Sequence, residues 1–461
     1  MIDDILKDKV GLFADGVQTI LRGHENRVRK VSMVNGNLMV NNRSEERGIS
    51  ARVMKNGCYG FASSAEYTGD AAEEVIRAAT KNADFLSARA AETKKAPGAA
   101  ERTQVPAHGA ITDPGQDRMI EACRKIDDYL KTKYPDLTSR TVQYREDSQD
   151  KIIYTSDASC GRVLSPRCYI YVWLSAETPS GTPVEVFKPF GGYGSFSDNF
   201  TDTDWILPGI DQLYQRLQDK RNGVYPEAGE KTVILSGYMA GMLAHEAVGH
   251  TVEADLVLGG SVGGPNLGKR VGSDLVSLVD FAHTAFGTAA PLPIWLDDEG
   301  VPAKDAILIQ NGILKGYMNN RETAAYFGME PCGNARAWSF SDEPIIRMRN
   351  TFLLPGTSRL DDMIASVDDG YYLIQSGNGQ ADLTGEFMFG VTEGYEIKHG
   401  KLGRALLDTT VTGVAFEMLK TVDMVSDHVR AQSSGFCGKK QRIPVSLGGP
   451  EVRCRITIGG R

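Results

Sequence analysis

Two histidines and a glutamate in LAHEAVGHTVEAD, from Leu243 to Asp255, are the residues best suited to chemistry in this chain. The pattern resembles the zinc helix H-E-x-x-H, in which two histidines four residues apart bind one ion and the glutamate acts as a base. Here His245 and His250 are five residues apart. At about 100° per residue, an i,i+5 pair is offset by roughly 140°. A regular helix therefore cannot easily aim both rings at one ion.

The unusual spacing predicts a local distortion of this helix. Gly249 would let the helix loosen, and a single i→i+5 turn would align His245 with His250. An alternative keeps the helix regular and uses Glu246, His250 and Glu253 as ligands or acid-base groups, with His245 pointing elsewhere. In a third interpretation, both histidines are hydrogen-bonded core residues and no metal is bound.

A catalytic metal needs about three protein ligands and an open position for water, with a carboxylate that takes the proton of that water. Glu246 is adjacent to His245 and is placed to be this base. The third ligand must come from another position, and the candidates are Glu253, Asp255, His283, Cys437 and Cys454. In SSGFCGKK, Cys437 lies in a glycine-containing loop where a thiolate could reach inward. The residues alone leave this choice open.

The elements that must position these side chains can be predicted in outline. A buried strand, TVILS from Thr232, should lead into the histidine helix. Upstream, the pattern predicts a helix through Leu21, then strands with tight turns at Asn35-Gly36 and Asn56-Gly57. A long helix, an irregular connection from Lys94, a second helix and more strands follow. This order predicts an α+β fold and indicates an αβββ duplication in the N-terminal half.

A chain of 461 residues is long for one hydrophobic core, since cores stop growing near about 250 to 300 residues. The segment NGVYPEAGE, from Asn222 to Glu230, is rich in residues that break regular structure. It predicts a boundary between an N-terminal α+β domain (1–225) and a C-terminal domain (226–461). Short strands and Gly-rich loops dominate the second domain, so we expect mostly antiparallel β structure there, carrying the metal-site helix.

Bulk composition narrows the classes of protein. The content of 41% hydrophobic and 24% charged residues is that of a folded globular protein. A net charge of −8 gives no overall attraction for nucleic acid, and no apolar run reaches the roughly 20 residues of a membrane span. The seven cysteines include no C-x-x-C pair and predict free thiols. With no secretory signal visible, we expect a cytoplasmic protein that binds neither nucleic acid nor membrane.

Three weaker signals lie outside the histidine helix. GGPNLGKR, from Gly263, partly matches a phosphate-binding loop but ends in Arg where Ser or Thr is required, so we expect a mobile lid instead. Arg336, Arg347 and Arg349 are candidates for anchoring a substrate carboxylate, with surface salt bridges as the alternative for at least one of them. The GNGQAD and GNARAW loops could pair with an extended peptide through exposed backbone.

Five segments, in this order and spacing, resemble the C-terminal half of the TldD/PmbA family of bacterial and archaeal metallopeptidases. They are LAHEAVGHTVEAD, DDEGVPAKDAILIQNGILKGYM, GNARAWSF, RMRNTFLLPG and SSGFCGKKQRIPVSLGGP. The resemblance is close from Lys231 to Gly459 and rests on element order before that. An older label of the family is "modulator of DNA gyrase", but nothing in this chain looks like a gyrase- or DNA-binding surface. One departure is PIIRMRN, where the family often has Pro-Met-Pro-Arg-Met, so substrate choice is not carried over.

The resemblance implies a ligand set, because the TldD branch carries H-E-x-x-x-H and the PmbA/TldE branch lacks it. It implies that His245, His250 and Cys437 bind the metal and that Glu246 is the catalytic base. It also implies two domains, dimerisation, and hydrolysis of unfolded or extended peptides in a secluded cleft.

We therefore expect a metallopeptidase in which the metal activates water and Glu246 takes its proton. Zinc is the expected ion, although His and Cys ligands also suit iron. The partner is expected to be a second copy of this chain or a PmbA-like subunit. The alternative is a non-catalytic partner subunit of a peptidase complex, in which the histidines are structural.

Overall fold

A computed structural model describes residues 2–90, 103–106 and 108–459 of the chain. The helices of the N-terminal half are α1 (Ile2–Lys9), α2 (Gly69–Ser87), α3 (Gln116–Lys133), α4 (Phe196–Asn199) and α5 (Leu207–Arg221). Its strands are β1 (Gln18–Val34), β2 (Asn37–Lys55), β3 (Cys58–Ser64), β4 (Gln104–Val105), β5 (Ser139–Thr155), β6 (Cys160–Glu177) and β7 (Pro183–Tyr193).

The long strands of this half form one sheet in the order β3-β2-β1-β5-β6-β7, with the short β4 parallel to β6. Each half of the sheet is an antiparallel three-stranded meander with a helix before it and a helix after it, so the predicted repeated order of elements is present. The predicted turns are confirmed, because Asn35 and Gly36 have φ values of 49° and 84°, and Asn56 and Gly57 have 50° and 77°. Positive φ at both positions is the geometry that a two-residue hairpin requires.

The predicted first helix is too long. It ends at Lys9, a 3₁₀ turn covers Val10–Leu12, and Leu21 lies inside β1. The residues near Leu21 are buried in a continuous run instead of along one helical stripe, because both faces of β1 are covered. The predicted irregular connection from Lys94 lies largely outside the described residues.

The C-terminal half contains most of the short strands. Its helices are α6 (Gly237–Leu243), α7 (Ala254–Leu258), α8 (Arg321–Phe327), α9 (Leu360–Ala365) and α10 (Ala415–Lys420). Its strands are β8 (Gly229–Leu235), β9 (Leu278–Phe281), β10 (Thr284–Ala285), β11 (Thr288–Ala289), β12 (Ala306–Gln310), β13 (Ile313–Leu314), β14 (Ala335–Arg336), β15 (Ile345–Ile346), β16 (Asn350–Leu353), β17 (Asp369–Ala381), β18 (Glu386–Lys398), β19 (Lys401–Ala405), β20 (Thr409–Val414), β21 (Met424–Val425), β22 (Arg430–Gln432), β23 (Phe436–Cys437), β24 (Ile443–Pro444), β25 (Ser446–Gly449) and β26 (Val452–Ile458).

Two mainly antiparallel sheets enclose the core of this half. One has the order β13-β12-β9-β16-β25-β22, and the other has β17-β8-β26-β20-β18-β19, with β21 beside β26. Only the pairs β16–β25 and β8–β17 are parallel among the strands of these sheets. The predicted α+β class is therefore confirmed, and mostly antiparallel pairing is observed. We propose the division into 1–225 and 226–461, since the chain passes from α5 to β8 there.

α6 runs between the two sheets, where it is packed almost backbone to backbone against β25. A Cβ at Gly241 would collide with the backbone of Gly448, and one at Gly237 would collide with the carbonyl of Gly449. α6 also contacts β16 and β17. This close packing on both sides fixes the direction in which the following turn presents its side chains.

The N-terminal sheet meets the C-terminal half through buried charges. Asp298 receives the ammonium of Lys151 at 2.8 Å and the guanidinium of Arg22 at 3.2 Å. Arg52 and Glu299 form a further buried ion pair. Burial is the main cause that lowers the pKa of Lys151, to about 8, against the opposing effect of Asp298. The two halves therefore meet through specific paired charges, not only through apolar contact.

Candidate metal centre

The histidine helix is distorted where the spacing predicts it. After α6, the chain forms a π-helical turn over Ala244–Gly249 and a 3₁₀ turn over His250–Val252. The N–H of His250 donates to the carbonyl of His245, which is the i→i−5 bond of a π-turn. The predicted break in helix regularity is confirmed.

The proposed reason for the distortion is wrong in one respect. Gly249 has φ of −55° and ψ of −49°, a right-handed conformation that any residue adopts. Its missing side chain is explained by packing, because a Cβ there would collide with Sδ of Met348, which is fully buried. Glycine at this position thus allows the side chain of Met348 to approach the backbone closely, and it is not needed for an unusual backbone conformation.

His245, His250 and Cys437 converge. One donor atom from each lies within 4.8 Å of the other two, and Nε2 of His250 is 3.3 Å from Sγ of Cys437. His245 is 1% exposed, and neither of its ring nitrogens has a hydrogen-bond partner of good geometry among the described residues. Because an unsatisfied buried polar atom costs roughly 1 to 3 kcal/mol, this ring fits a metal ligand better than a hydrogen-bonded core residue.

Glu253 lies behind His250 and holds it in place. Its Oε2 is 2.7 Å from Nδ1 of His250 and 3.1 Å from Nζ of Lys439, whose ammonium also reaches Asp255 at 2.8 Å. Burial opposes the charged form of His250, but Glu253 and Cys437 raise its pKa to about 10. With Nδ1 directed at Glu253, Nε2 is the nitrogen that faces Cys437. Glu253 is thus positioned to orient His250, whereas the sequence left it open as a metal ligand itself.

Cys437 comes from the short strand β23, which pairs with β24. Burial alone would raise the pKa of its thiol, but the neighbouring His245 and His250 lower it to about 3. A thiolate is the form of cysteine that binds metals. Arg347 donates from Nη2 to the Cys437 carbonyl at 2.8 Å and so fixes the backbone of this strand.

The chain leading into β23 lies on the N-terminal sheet. Arg167 donates to the carbonyl of Ser433 at 2.8 Å, and the hydroxyl of Tyr171 donates to that of Ser434 at 3.2 Å. Residues of both halves of the protein therefore position Cys437.

Glu246 is half-buried and is more exposed than His245, His250 and Cys437. Its side chain is 29% exposed, and Oε2 is 3.6 Å from Nε2 of His250. Burial and, secondly, the charge of Glu246 raise the pKa of Tyr238 to about 12. A carboxylate that borders both the convergent donors and solvent has the geometry of a general base.

The remaining candidates for the third ligand have other surroundings. His283 stacks on Trp295 with ring centroids 4.0 Å apart. Cys454 lies in β26 in the hydrophobic core, where burial raises its pKa to about 12. Asp255 is paired with Lys439. These three residues are not part of the convergent group formed by the described residues.

The three arginines are internal. Arg349 is fully buried and donates from Nε to Asp280 at 2.8 Å, with further bonds to four backbone carbonyls. Arg347 is also fully buried, and Arg336 donates to the carbonyl of Met348 at 2.5 Å. The surface salt bridges considered as an alternative are wrong for all three. Burial, then repulsion from Arg347, lowers the pKa of Arg336 to about 9.

The loops proposed for peptide pairing are already paired. Most of GNGQAD belongs to β17, which pairs with β18, and GNARAW contains β14, which pairs with β15. The Gly263 loop forms a 3₁₀ turn over Gly264–Asn266 and does not open a helix, so it lacks the helix N-terminus of a phosphate site. Its carbonyls at Gly263 and Gly264 accept from the hydroxyl of Tyr317.

Comparison with known proteins identifies the family of this chain. Residues 228–460 match the domain described as the PmbA/TldA metallopeptidase C-terminal domain, and residues 21–83 match PmbA/TldA metallopeptidase domain 1. A protein named metalloprotease from Methanothermobacter thermautotrophicus is 30% identical over 455 residues, which cover 95% of this chain and 94% of the relative. The chain belongs to the TldD/PmbA metallopeptidase family. The family prediction is confirmed.

Other similarities extend over the whole chain. The zinc metalloprotease TldD homolog of Saccharolobus solfataricus is 28% identical over 417 residues, with 90% of each chain covered. The crystal structure of TldE from Thermococcus kodakarensis has a TM-score of 0.77 at 17% identity and 100% coverage of both chains. A putative modulator of a DNA gyrase from Thermotoga maritima has a TM-score of 0.78 at 18% identity, covering 99% of this chain and 100% of that one. These two structures show the shared fold.

The family assignment confirms the prediction of a metallopeptidase. All seven cysteines are free, as predicted. Within the described residues, every helix is too short or too polar to span a membrane.

Lys439 and Met348 are residues near the site that sequence reasoning missed. The first lysine of the GKK motif was the only sequence signal for Lys439, and nothing in the sequence indicated that Met348 would be buried.

Proposed function

We propose that this protein is a zinc-dependent peptidase that hydrolyses unfolded or extended peptides, with the metal held by His245, His250 and Cys437. The single observation that carries the proposal is the convergence of two imidazoles and one cysteine sulfur within 4.8 Å, where the ring nitrogens of the buried His245 have no hydrogen-bond partner among the described residues. Two nitrogens and one sulfur are a donor set that zinc accepts, and three protein ligands leave a position for water.

The residues of the chain divide the chemistry between them. Zinc, when bound, supplies a Lewis acid that acidifies water and polarises the scissile carbonyl. Glu246 takes the proton of the attacking water and passes it to the leaving amine, because its carboxylate borders both the donors and solvent. Glu253 accepts from Nδ1–H of His250 and keeps Nε2 directed at the site. Lys439 neutralises Glu253 and thereby prevents an unpaired negative charge beside His250.

The proposal also covers the identity of the metal, the cellular compartment and the oligomeric state. The name of the Saccharolobus relative supports zinc over iron, and the unpaired thiols support a reducing compartment such as the cytoplasm. We place the protein in a dimer, either with a second copy or with a PmbA-like subunit. The likeness to the fold of a TldE structure supports the second arrangement. The alternative function is that of a non-catalytic partner subunit with structural histidines, and it predicts that the purified chain binds no zinc.

Replacement of Glu246 tests the proposal. Glu246→Gln should retain about one zinc per chain and lose cleavage of an unfolded-peptide library, because glutamine cannot take a proton. Glu417→Gln is the matched control, since Glu417 is an exposed carboxylate in a helix remote in sequence. Metal content is measured by mass spectrometry and cleavage by chromatography. Undiminished cleavage by Glu246→Gln would remove this residue from the mechanism, and a metal-free wild type would leave the partner-subunit function.

A further inference from the structure

Three guanidinium groups surround the ring of Phe436, the residue that directly precedes Cys437. The Cζ atoms of Arg442, Arg167 and Arg145 lie 3.8, 4.4 and 5.2 Å from the centroid of this ring. We refer to these three residues as the arginine cluster. Cation–π contacts partly compensate the cost of bringing these charges together, but they do not neutralise them.

The arginine cluster contains more positive than negative charge. Asp147 accepts two bonds from Arg145, both 2.8 Å long, and lies 3.7 Å from Nη2 of Arg167. Among the described residues, no other carboxylate forms an ion pair with these arginines. Nε and Nη2 of Arg167 also lack hydrogen-bond partners there. One carboxylate therefore faces three cations, which leaves the cluster with a net positive charge.

Exposure differs across the cluster and defines its open side. Arg167 is 2% exposed and the side chain of Arg145 is 18% exposed, whereas Arg442 is exposed. Burial, then repulsion by Arg145 and Arg167, lowers the pKa of Arg442. An anion approaching from solvent would meet Arg442 first and would relieve this repulsion.

The cluster and the proposed metal centre share one strand. Consecutive side chains of β23 point to opposite faces, so Phe436 and Cys437 place the cluster and the convergent donors on the two sides of the same hairpin. Arg442 directly precedes Ile443, which is the β24 partner of Cys437. An extended peptide rises about 3.3 Å per residue, so a few residues suffice to reach from one side of this hairpin to the other.

Aromatic rings continue from the cluster along the N-terminal sheet. Tyr171 stacks on Trp173 with centroids 5.7 Å apart, and Trp173 stacks on Phe187 at 5.0 Å. Trp173 and Phe187 are half-buried, so part of each ring faces solvent. Such a surface suits the apolar side chains of an unfolded polypeptide.

We propose that the arginine cluster binds a carboxylate of the peptide substrate, with Arg442 as the contact residue. The inference rests on the proposed peptidase function and adds a substrate class to it: peptides that present an anion a few residues from the scissile bond. The carboxylate comes either from the peptide C-terminus or from an Asp or Glu side chain. A charge-assisted hydrogen bond at a partly exposed site gives about a tenfold preference, the low end of its range.

Binding is tested without turnover, using the full chain carrying Glu246→Gln. Fluorescence anisotropy compares three labelled peptides of one apolar sequence: one with a free C-terminal carboxylate, one amidated, and one amidated with an internal Glu. At least one carboxylate peptide should bind about tenfold tighter than the neutral one. Arg442→Gln should abolish this preference. Lys440→Gln, which removes an exposed charge two residues away, should preserve it.

Each outcome decides the inference. Preference for the free terminus or for the internal Glu supports it and identifies the source of the carboxylate. Equal binding of all three peptides overturns it, as does a preference that survives Arg442→Gln or is lost equally in Lys440→Gln. Cleavage by the chain without Glu246→Gln is followed separately. If no peptide is cleaved but carboxylate-selective binding is observed, the proposed peptidase function fails and the assignment of the arginine cluster is supported. If peptides are cleaved but binding shows no preference for a carboxylate, the peptidase function is supported and the assignment of the cluster fails.

Discussion

Gly249→Ala is the substitution that most sharply tests why the histidine helix is distorted. The new Cβ would collide with Sδ of Met348 and lie 3.1 Å from the carbonyl of Ala244. Met348 is fully buried, so its side chain has little room to move. Overpacking of this kind costs about 1 to 3 kcal/mol. We therefore expect the free energy of unfolding to fall by about 2 kcal/mol and zinc affinity to fall as well, because His250 follows directly in the chain.

Urea unfolding of the zinc-free protein and zinc titration measure the two effects. Gly438→Ala is the matched control, since a Cβ at Gly438 meets nothing within 4 Å and its backbone has no positive φ. That variant should lie within about 0.5 kcal/mol of wild type.

A double-mutant cycle identifies the cause. Met348→Ala alone should cost about 2 to 5 kcal/mol, and it should remove most of the penalty of Gly249→Ala when the two are combined. Additive losses would refute the collision as the cause. Wild-type stability of Gly249→Ala would refute the packing account altogether.

Three further substitutions probe charges around the site and between the halves. Lys439→Met should weaken zinc binding by about 10- to 100-fold in competition with a chromophoric chelator, while Lys440→Met should bind zinc as wild type does. If Lys439→Met and wild type bind zinc with equal affinity, Lys439 does not support Glu253. Arg349→Met should cost about 3 to 5 kcal/mol in urea unfolding, because it leaves a buried carboxylate unpaired, and a loss under 1 kcal/mol would contradict that role. Burial raises the pKa of Glu393 above its ordinary 4.5, so its protonated form is favoured in the folded state. The free energy of unfolding of wild type should therefore fall relative to that of Glu393→Gln as pH rises above 4.5 through the folded pKa. If the difference between the two free energies of unfolding stays constant from pH 4 to pH 7, this role of Glu393 is refuted.

Local chemistry made much of the site predictable. The spacing of His245 and His250 was incompatible with a regular helix, so a π-turn could be expected before the structure was known. The turns at Asn35-Gly36 and Asn56-Gly57 were also predictable from local sequence, since few residues tolerate positive φ.

Contacts between distant segments could not be predicted in the same way. From residue types alone, Cys437 was one of five candidate ligands, because nothing local to a loop indicates which helix it faces. The burial of Arg349 depends on Asp280, a partner 69 residues away. The first helix was overextended because apolar spacing near Leu21 fits a helix as well as a strand covered on both faces.

X-ray absorption at the zinc edge tests the central claim most directly. For zinc-loaded wild type, the account predicts one sulfur near 2.3 Å and two imidazole nitrogens near 2.0 to 2.1 Å, the usual distances for these ligands. Cys437→Ser should lose the sulfur shell, and His245→Ala should lose one imidazole. A wild-type spectrum without sulfur, or an unchanged sulfur shell in Cys437→Ser, would contradict the proposed metal centre.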